Sequence, residues 1–358
     1  MTVPSRASVS TEAGYRPTLV EPGLVQLANN EVPDGPLPSA VRALAAAATG
    51  VNRYPDPAAA GLADRIAEHL AVDPERVVVG DGSVSVCQQV LQALCGPGDE
   101  VVVGAPSFEL YPVLSRAVGA VPRPVAVTRE HALDLDAMAA AVTPATQVLF
   151  LCNPNNPTGT AVDRARLDRF LDRVPGRVLV VLDEAYRDFV DDPRVPDGVV
   201  TGRSRDNVAV LRTFSKGYGL AGLRVGYGVF PVLVADAVRR LALPYAVNAL
   251  AQTAAVASLD AGAELRDRCG RIGRERDRMR TELRRAGFAV PPSQANFLWL
   301  PVGDRAEALA AHCRRHGVLV RAFPGAGVRV SVGTPAENDA FLRLVRAPEG
   351  TRTEPAGT

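Results

Sequence analysis

Residues 212–228 read RTFSKGYGLAGLRVGYG. An apolar run, NVAVLRTF (207–214), leads into this stretch, and another, LRVGYGVF (223–230), leads out of it. The pattern is strand, glycine-rich loop, strand. Of 40 Lys and Arg residues in the chain, Lys216 in this loop is the one lysine. A chain rich in Ala, Arg, Gly, Pro and Val writes its solvated surface cations as arginine. A lysine kept here points to chemistry a guanidinium cannot supply. An amine can shed its proton near neutral pH and then act as a nucleophile.

Working outward, apolar runs at RVVVG (76–80), DEVVVGA (99–105), AVPRPVAV (120–127), TQVLFLC (146–152) and RVLVVLDEA (177–185) precede the opening stretch. Amphipathic segments lie between several of them. SVSVCQQVLQAL (83–94) puts Val84, Cys87, Gln88, Leu91 and Leu94 near one helical face. DRARLDRFLDRV (163–174) aligns Leu167, Phe170, Leu171 and Val174. DLDAMAAAV (134–142) opens on Asp cap candidates. Such alternation predicts an α/β fold with a mostly parallel sheet flanked by helices on both faces. After about residue 245 a long charged helical stretch precedes short strands at NFLWLPV, GVLVRAF and GVRVSVG, which predicts a smaller α+β domain. The N-terminal 45 or so residues carry no strong sheet signal and are expected to pack on it. The run RDRCGRIGRERDRMR is expected to be a solvated helix face.

Composition narrows the function. The chain has 358 residues, 47% of them hydrophobic and 22% charged, and a net charge of +1. That balance gives no electrostatic reason to expect nucleic acid or an anionic membrane as partner. No apolar run reaches a membrane span, and residues 1–17 lack the apolar core of a secretory signal. Both ends read as polar tails. Five scattered cysteines form no CxxC pair and four histidines match no metal spacing, so neither a disulfide framework nor a metal site is expected. A reducing, cytoplasmic setting follows as the expectation.

In open α/β sheets ligands sit beyond the carboxyl ends of the strands. VVVGDGSVSV (77–86) turns through glycines into a helix opening at Ser83 and Val84, which suits either a phosphate or simply a tight turn. Asp183 follows a buried run, as a helix cap or as the partner of a protonated ring nitrogen. The asparagines of LCNPNNPTGT (151–160) either bind a ligand or brace their own turn. Phe108 in PSFELYP is a stacking face or a core residue. Lys216 with Ser215 and Arg224, eight residues further on, implies a cofactor bearing a phosphate and an aldehyde.

Taken in series, NPNNPTG, DEAY and SK…GLAGLRVGY resemble the fold-type I, pyridoxal phosphate-dependent aminotransferases of class I/II, in their histidinol-phosphate and aromatic amino acid aminotransferase branch. The resemblance runs from LANNE near 27 to RVSVG near 329. It implies pyridoxal 5′-phosphate as cofactor. Lys216 would form the internal aldimine and shuttle the proton between Cα and C4′. Asp183 would pair with the pyridinium nitrogen, and Tyr186 and Asn156 would bond the phenolic oxygen. Phe108 would stack on the ring, where the family commonly has Tyr. Ser83, Val84, Thr213, Ser215 and Arg224 would hold the phosphate, with Tyr54 of NRYPD arriving from a second subunit of a homodimer. Arg329, with Arg321 close by, would grip the substrate's anionic group. The implied organisation is residues 1–46 as tail and part of a small domain, 47–246 as a large cofactor-binding domain, 247–348 as the small domain and 349–358 as a tail.

The implied reaction is ping-pong transamination between an L-amino acid, aromatic or histidinol phosphate-like, and a 2-oxo acid in amino acid biosynthesis. A decarboxylase or oxidase on the same scaffold is the alternative. One segment departs from the family pattern Asn-Glu-Asn-Pro, aromatic, Gly. Here NNEVPDGP places Val32 and Asp34 over the substrate pocket, where the carboxylate of Asp34 would either repel a phosphate-bearing substrate or face solvent.

Overall fold

A computed structural model describes residue 18 and residues 20–346. Both expected tails lie largely outside the described residues. Among the described residues eleven strands form two sheets. In chain order they are β1 (Val25–Leu27), β2 (Val77–Gly80), β3 (Glu100–Ala105), β4 (Val121–Ala126), β5 (Thr146–Cys152), β6 (Leu179–Asp183), β7 (Val208–Thr213), β8 (Gly226–Val229), β9 (Phe297–Leu300), β10 (Val318–Phe323) and β11 (Gly327–Ser331).

The larger sheet has the order β2-β8-β7-β6-β5-β3-β4. Only the two pairings made by β8 are antiparallel. β2 therefore runs parallel to β7, and the carboxyl ends of β2, β3, β5, β6 and β7 all meet one edge. Strand alternation divides the core between two faces. Val180 and Leu182 of β6 join one apolar cluster, Leu179 and Val181 the other. Each such buried side chain contributes about 1.5–3 kcal/mol. The helix Arg164–Arg173 buries Leu167, Phe170 and Leu171 as expected, behind an Asp163 cap. Asp134 likewise caps the helix Leu135–Ala140.

The smaller sheet, β1-β10-β11-β9, has its own apolar cluster. Here the structure differs from expectation at the N-terminus. β1 is three residues long and pairs in parallel with β10. So short a strand leaves no periodicity to read, and it is held by its partner. β4 is largely exposed and lies at the sheet edge, so it is not covered on both faces. Pro122 and Pro124 have no N–H to donate, which suits an edge.

The helix Ser83–Leu94 forms where expected but buries Val86, Cys87, Gln89, Val90 and Leu91, leaving Gln88 exposed. The sheet and the helices Leu110–Ala117 and Val232–Arg239 together cover more of its circumference than one stripe predicts. The long charged stretch divides into helices Ala249–Leu259 and Gly262–Arg285. Within its charge run Arg268 and Arg276 are buried. Arg276 donates to Asp191 at 2.8 Å and to Asp277 at 2.9 Å. Its charge is thereby compensated, and that part of the helix is not a solvated face.

Candidate active site

A cavity of about 330 Å³ opens where the carboxyl edge of the larger sheet faces β11 and residues 29–31. Ser83, Val84, Phe108, Asn156, Asp183, Tyr186, Thr213, Ser215, Lys216, Arg224 and Arg329 all line it. Local folding explains their convergence. Asp183 and Thr213 are the last residues of parallel neighbours β6 and β7. Asn156 follows β5, and Tyr186 lies in the turn after β6.

Lys216 Nζ donates to the backbone carbonyl of Asn29 at 3.0 Å and lies 6.0 Å from the centre of the Tyr186 ring. Burial pushes its pKa down to about 7, with the positive charge of Arg329, then Arg224, adding to the effect and Glu31 opposing it. The amine thus exchanges its proton near neutrality. Asp183 is 4% exposed, and burial raises its pKa. Tyr111 Oη donates to its Oδ2 at 2.6 Å and Ala185 N–H to its Oδ1 at 3.1 Å, while no cation is paired with it among the described residues.

The opposite end of the cavity suits an anion. The helix Ser83–Leu94 begins at Gly82 (φ 102°) with no side-chain cap, so its first N–H groups point outward unpaired by a cap. A Cβ at Gly82 would lie 2.4 Å from Nη2 of Arg224, and one at Gly226 would lie 2.4 Å from the Ser83 nitrogen. Both glycines are required for this approach. Arg224 itself adopts φ 57°, unusual for a residue with a side chain, and donates to Ser215 Oγ at 3.4 Å and to the Ala221 carbonyl at 2.9 Å. Anion cradle, lone carboxylate and neutralisable amine are the donor set that pyridoxal phosphate needs, and the residues fit it.

On the β11 side, Arg329 is buried. It donates to Asn156 Oδ1 at 2.5 Å and to the Ala28 carbonyl at 2.5 Å. The faces of Phe297 and Phe323 lie 5.6 and 5.8 Å from its guanidinium.

Two expected substrate contacts lie outside this cavity in the structure. Arg321 does not line the cavity; it pairs with Glu109 at 2.9 Å and donates to Thr18 Oγ1 at 3.0 Å. Arg321 and Arg329 are cross-strand partners, and opposite charge from Glu109 draws one guanidinium away from the other. Asp34 does not line the cavity either. It is exposed and pairs with Arg271 at 3.1 Å and more distantly with Arg268 at 3.9 Å. Tyr54 is 83% exposed, its ring 4.7 Å from that of Tyr245 and outside this chain's cavity.

Sequence reasoning missed Tyr111 and Asn30. Asn30 has φ 55° and donates through Nδ2 to Tyr186 Oη at 2.9 Å. Its backbone N–H donates to Ser331 Oγ at 2.8 Å. Tyr111 stood in the quoted PSFELYP, three residues after Phe108, and that spacing was the available signal. Among the described residues no group of three or more His, Cys, Asp or Glu could hold a metal, and no helix is long and apolar enough to cross a membrane.

Residues 22–345 match the family Aminotransferase class I and II, and the chain belongs to it. It is a pyridoxal phosphate-dependent aminotransferase. The aromatic amino acid aminotransferase of Thermobifida fusca is 52% identical over 345 residues, 95% of this chain and 96% of the relative. That of Rhodococcus jostii is 49% identical over 349 residues, 98% of this chain and 97% of the relative. Among solved structures, histidinol-phosphate aminotransferase from Sinorhizobium meliloti in complex with pyridoxal-5′-phosphate superposes with a TM-score of 0.85 at 27% identity, covering 90% of each chain. The relatives near 50% identity are named for transamination, and they give the decarboxylase or oxidase alternative no support.

Proposed function

We propose that this aminotransferase exchanges an amino group between an aromatic L-amino acid and a 2-oxo acid, with the residues of the cavity in the roles that follow. The observation that carries the site is Lys216, whose amine is neutralisable near pH 7, in one cavity with a carboxylate that has no paired cation among the described residues. The names of the relatives near 50% identity favour an aromatic donor over histidinol phosphate, the substrate named for structural neighbours at 20–27% identity.

When bound, the cofactor supplies the electron sink that makes the substrate Cα–H bond acidic. The residues do the rest. The N–H groups of Ser83 and Val84, with Thr213, Ser215 and Arg224, bind the phosphate. Phe108 offers the ring an aromatic face. Asp183 accepts a hydrogen bond from the ring nitrogen, and Tyr186 and Asn156 hydrogen-bond the ring oxygen. Lys216 Nζ would take the proton from the substrate Cα and return it at C4′, two atoms along. Arg329 pairs with the substrate carboxylate, where a bidentate fork suits two oxygens.

The exposed Tyr54–Tyr245 pair supports a homodimer in which Tyr54 of the partner subunit reaches the phosphate. The two sheets, each with its own core, support a large and a small domain, but Leu37, Ala40 and buried residues between 247 and 261 pack into the large-sheet cluster, so the large domain reaches beyond 47–246 at both ends. The five free cysteines, four of them buried, fit the reducing cytoplasm.

A panel of amino donors mixed with the holoenzyme in single-turnover absorbance experiments tests the reading. Phenylalanine and tyrosine should convert the cofactor to its amine form well ahead of histidinol phosphate or arginine. Conversion by histidinol phosphate alone, or release of CO₂ without amine-form cofactor, would overturn it. Light scattering of the eluted protein should give the mass of two chains.

A further inference from the structure

Asp183 sits in a place where a carboxylate is expensive. It is 4% exposed and surrounded by Cys87, Tyr111, Cys152 and Tyr186. Burial raises the pKa of every one of these groups, so each stays neutral around it. No ion pair offsets its charge among the described residues. Its two hydrogen-bond donors are the Ala185 N–H, which backbone geometry provides for any side chain, and the Tyr111 hydroxyl.

Tyr111 is held for that contact. It has no exposed surface, and its ring stacks on Phe150 with centroids 4.5 Å apart and planes 8° from parallel. Its other neighbour is Phe108, edge to face at 5.2 Å. A phenol has one proton to donate. At 2.6 Å from Oδ2, this one makes a charge-assisted bond, the stronger kind of O–H···O contact. An ionised carboxylate has roughly four acceptor positions and these two donors fill two, leaving the others for an incoming N–H.

From this geometry we infer that Tyr111 is a positioning residue for cofactor capture: its hydroxyl fixes and keeps ionised the Asp183 carboxylate that receives the ring nitrogen, while its ring edge braces Phe108. The inference rests on the proposed role of Asp183. It assigns to Tyr111 no contact with cofactor or substrate.

Tyr111→Phe keeps the ring, its stack on Phe150 and its edge on Phe108, and removes the donor alone. The test is the dissociation constant of pyridoxal phosphate for the apoenzyme, measured by equilibrium dialysis from pH 5 to 8. Wild type, Tyr111→Phe, Asp183→Asn and the double variant are compared, with the apoenzyme Tm recorded for each. A donor to a carboxylate favours its charged form and lowers its pKa, so losing the donor raises that pKa. Affinity should therefore begin to fall at higher pH in Tyr111→Phe than in wild type, by about one pH unit. Near pH 7 it should be weaker by roughly tenfold, the range for a hydrogen bond to a charged group. In the Asp183→Asn background the Tyr111→Phe change should have no further effect, since one group acts through the other.

If the Tyr111→Phe profile superposes on wild type, the inference fails and the role of Asp183 stands. A uniform weakening at every pH that persists in the Asp183→Asn background would show ring packing alone, and also overturns it. An apoenzyme that takes up no pyridoxal phosphate in its wild-type form would overturn the reading of the site, and this inference with it.

Discussion

Asp183 and Glu184 are consecutive carboxylates at the end of one strand, and both are buried. Strand geometry sends them to opposite faces of the sheet. Behind the sheet, Arg212 donates to Glu184 Oε2 at 2.7 and 3.0 Å and to Asp197 at 2.8 Å. The Gly198 N–H donates to Glu184 Oε1 at 2.7 Å. That carboxylate is fully occupied by the protein. On the cavity face, Asp183 has among the described residues a hydroxyl, one backbone N–H and no cation. Burial raises the pKa of both, but only at Glu184 does an arginine oppose it. The contrast separates a charge buried for structure from one buried to await a ligand.

The largest expected effects divide the same way. Asp183→Asn should lower kcat/KM by about 10²–10³-fold, as loss of a preorganised electrostatic partner does. The apoenzyme Tm should be unchanged or higher, because an uncompensated buried charge has gone. Glu184→Gln should do the reverse. It leaves Arg212 short of a counter-charge, and breaking such a pair costs about 3–5 kcal/mol of stability. Per folded molecule its kcat/KM should stay within about threefold of wild type. Calorimetry of apoenzyme beside steady-state kinetics decides it. Equal losses of both properties in both variants would erase the distinction.

How far this contrast can be read in the sequence depends on how local its causes are. Asp183 and Lys216 were legible because strand-end position and a glycine-rich loop are local facts. The division of labour between Asp183 and Glu184 was not, since it is set by Arg212 and Tyr111, 28 and 72 residues away. Asn30 reaches Tyr186 across 156 residues, and only the folded chain brings those two together. Arg321 and Arg329 look alike in the sequence, being two arginines on adjoining apolar runs. Glu109, far along the chain, tells them apart. The sheet and its flanking helices were legible from continuous apolar runs, whereas the three-residue β1 exists only through its pairing with β10.

Lys216 sharpens the contrast from the side of the missing cation. Its folded pKa is lowered from 10.5 to about 7, so between those values the unfolded chain binds a proton that the folded chain does not. Stability therefore rises with pH across that window. Below about pH 7 the penalty for burying the amine is fully present; above 10.5 it is gone. In the apoenzyme, Lys216→Met should raise the Tm by a few degrees near pH 6. The gain should shrink steadily towards pH 10.5. Each kcal/mol corresponds to about 2–4 °C in a chain approaching this size. A Tm difference that does not change with pH would mean that Lys216 is no more burdened by burial than an ordinary surface lysine.

Asp34 is the smallest case and tests the opposite limit, a carboxylate with partners but without burial. Its side chain is 45% exposed, and its nearer partner, Arg271, is 56% exposed. Pairs of this kind are worth about 0–1 kcal/mol. Arg268, the farther partner, is buried, and the charge of Asp34 at 3.9 Å opposes the effect of that burial, but its hydrogen bonds go elsewhere. It donates to the carbonyl of Gly35 at 2.6 Å and to that of Gly217 at 3.3 Å. Asp34→Asn should thus lower stability by less than about 1 kcal/mol. The same variant asks whether this carboxylate screens substrates by charge. Asp34 lies outside the Lys216 cavity, and its charge is already answered by arginines. The ratio of kcat/KM for phenylalanine to that for histidinol phosphate should then stay within about twofold, well under the tenfold that 1.4 kcal/mol would give. A fall in that ratio of tenfold or more would show that the carboxylate repels the phosphate-bearing donor despite its partners. The exposed end of the series would then carry selectivity that its geometry does not suggest.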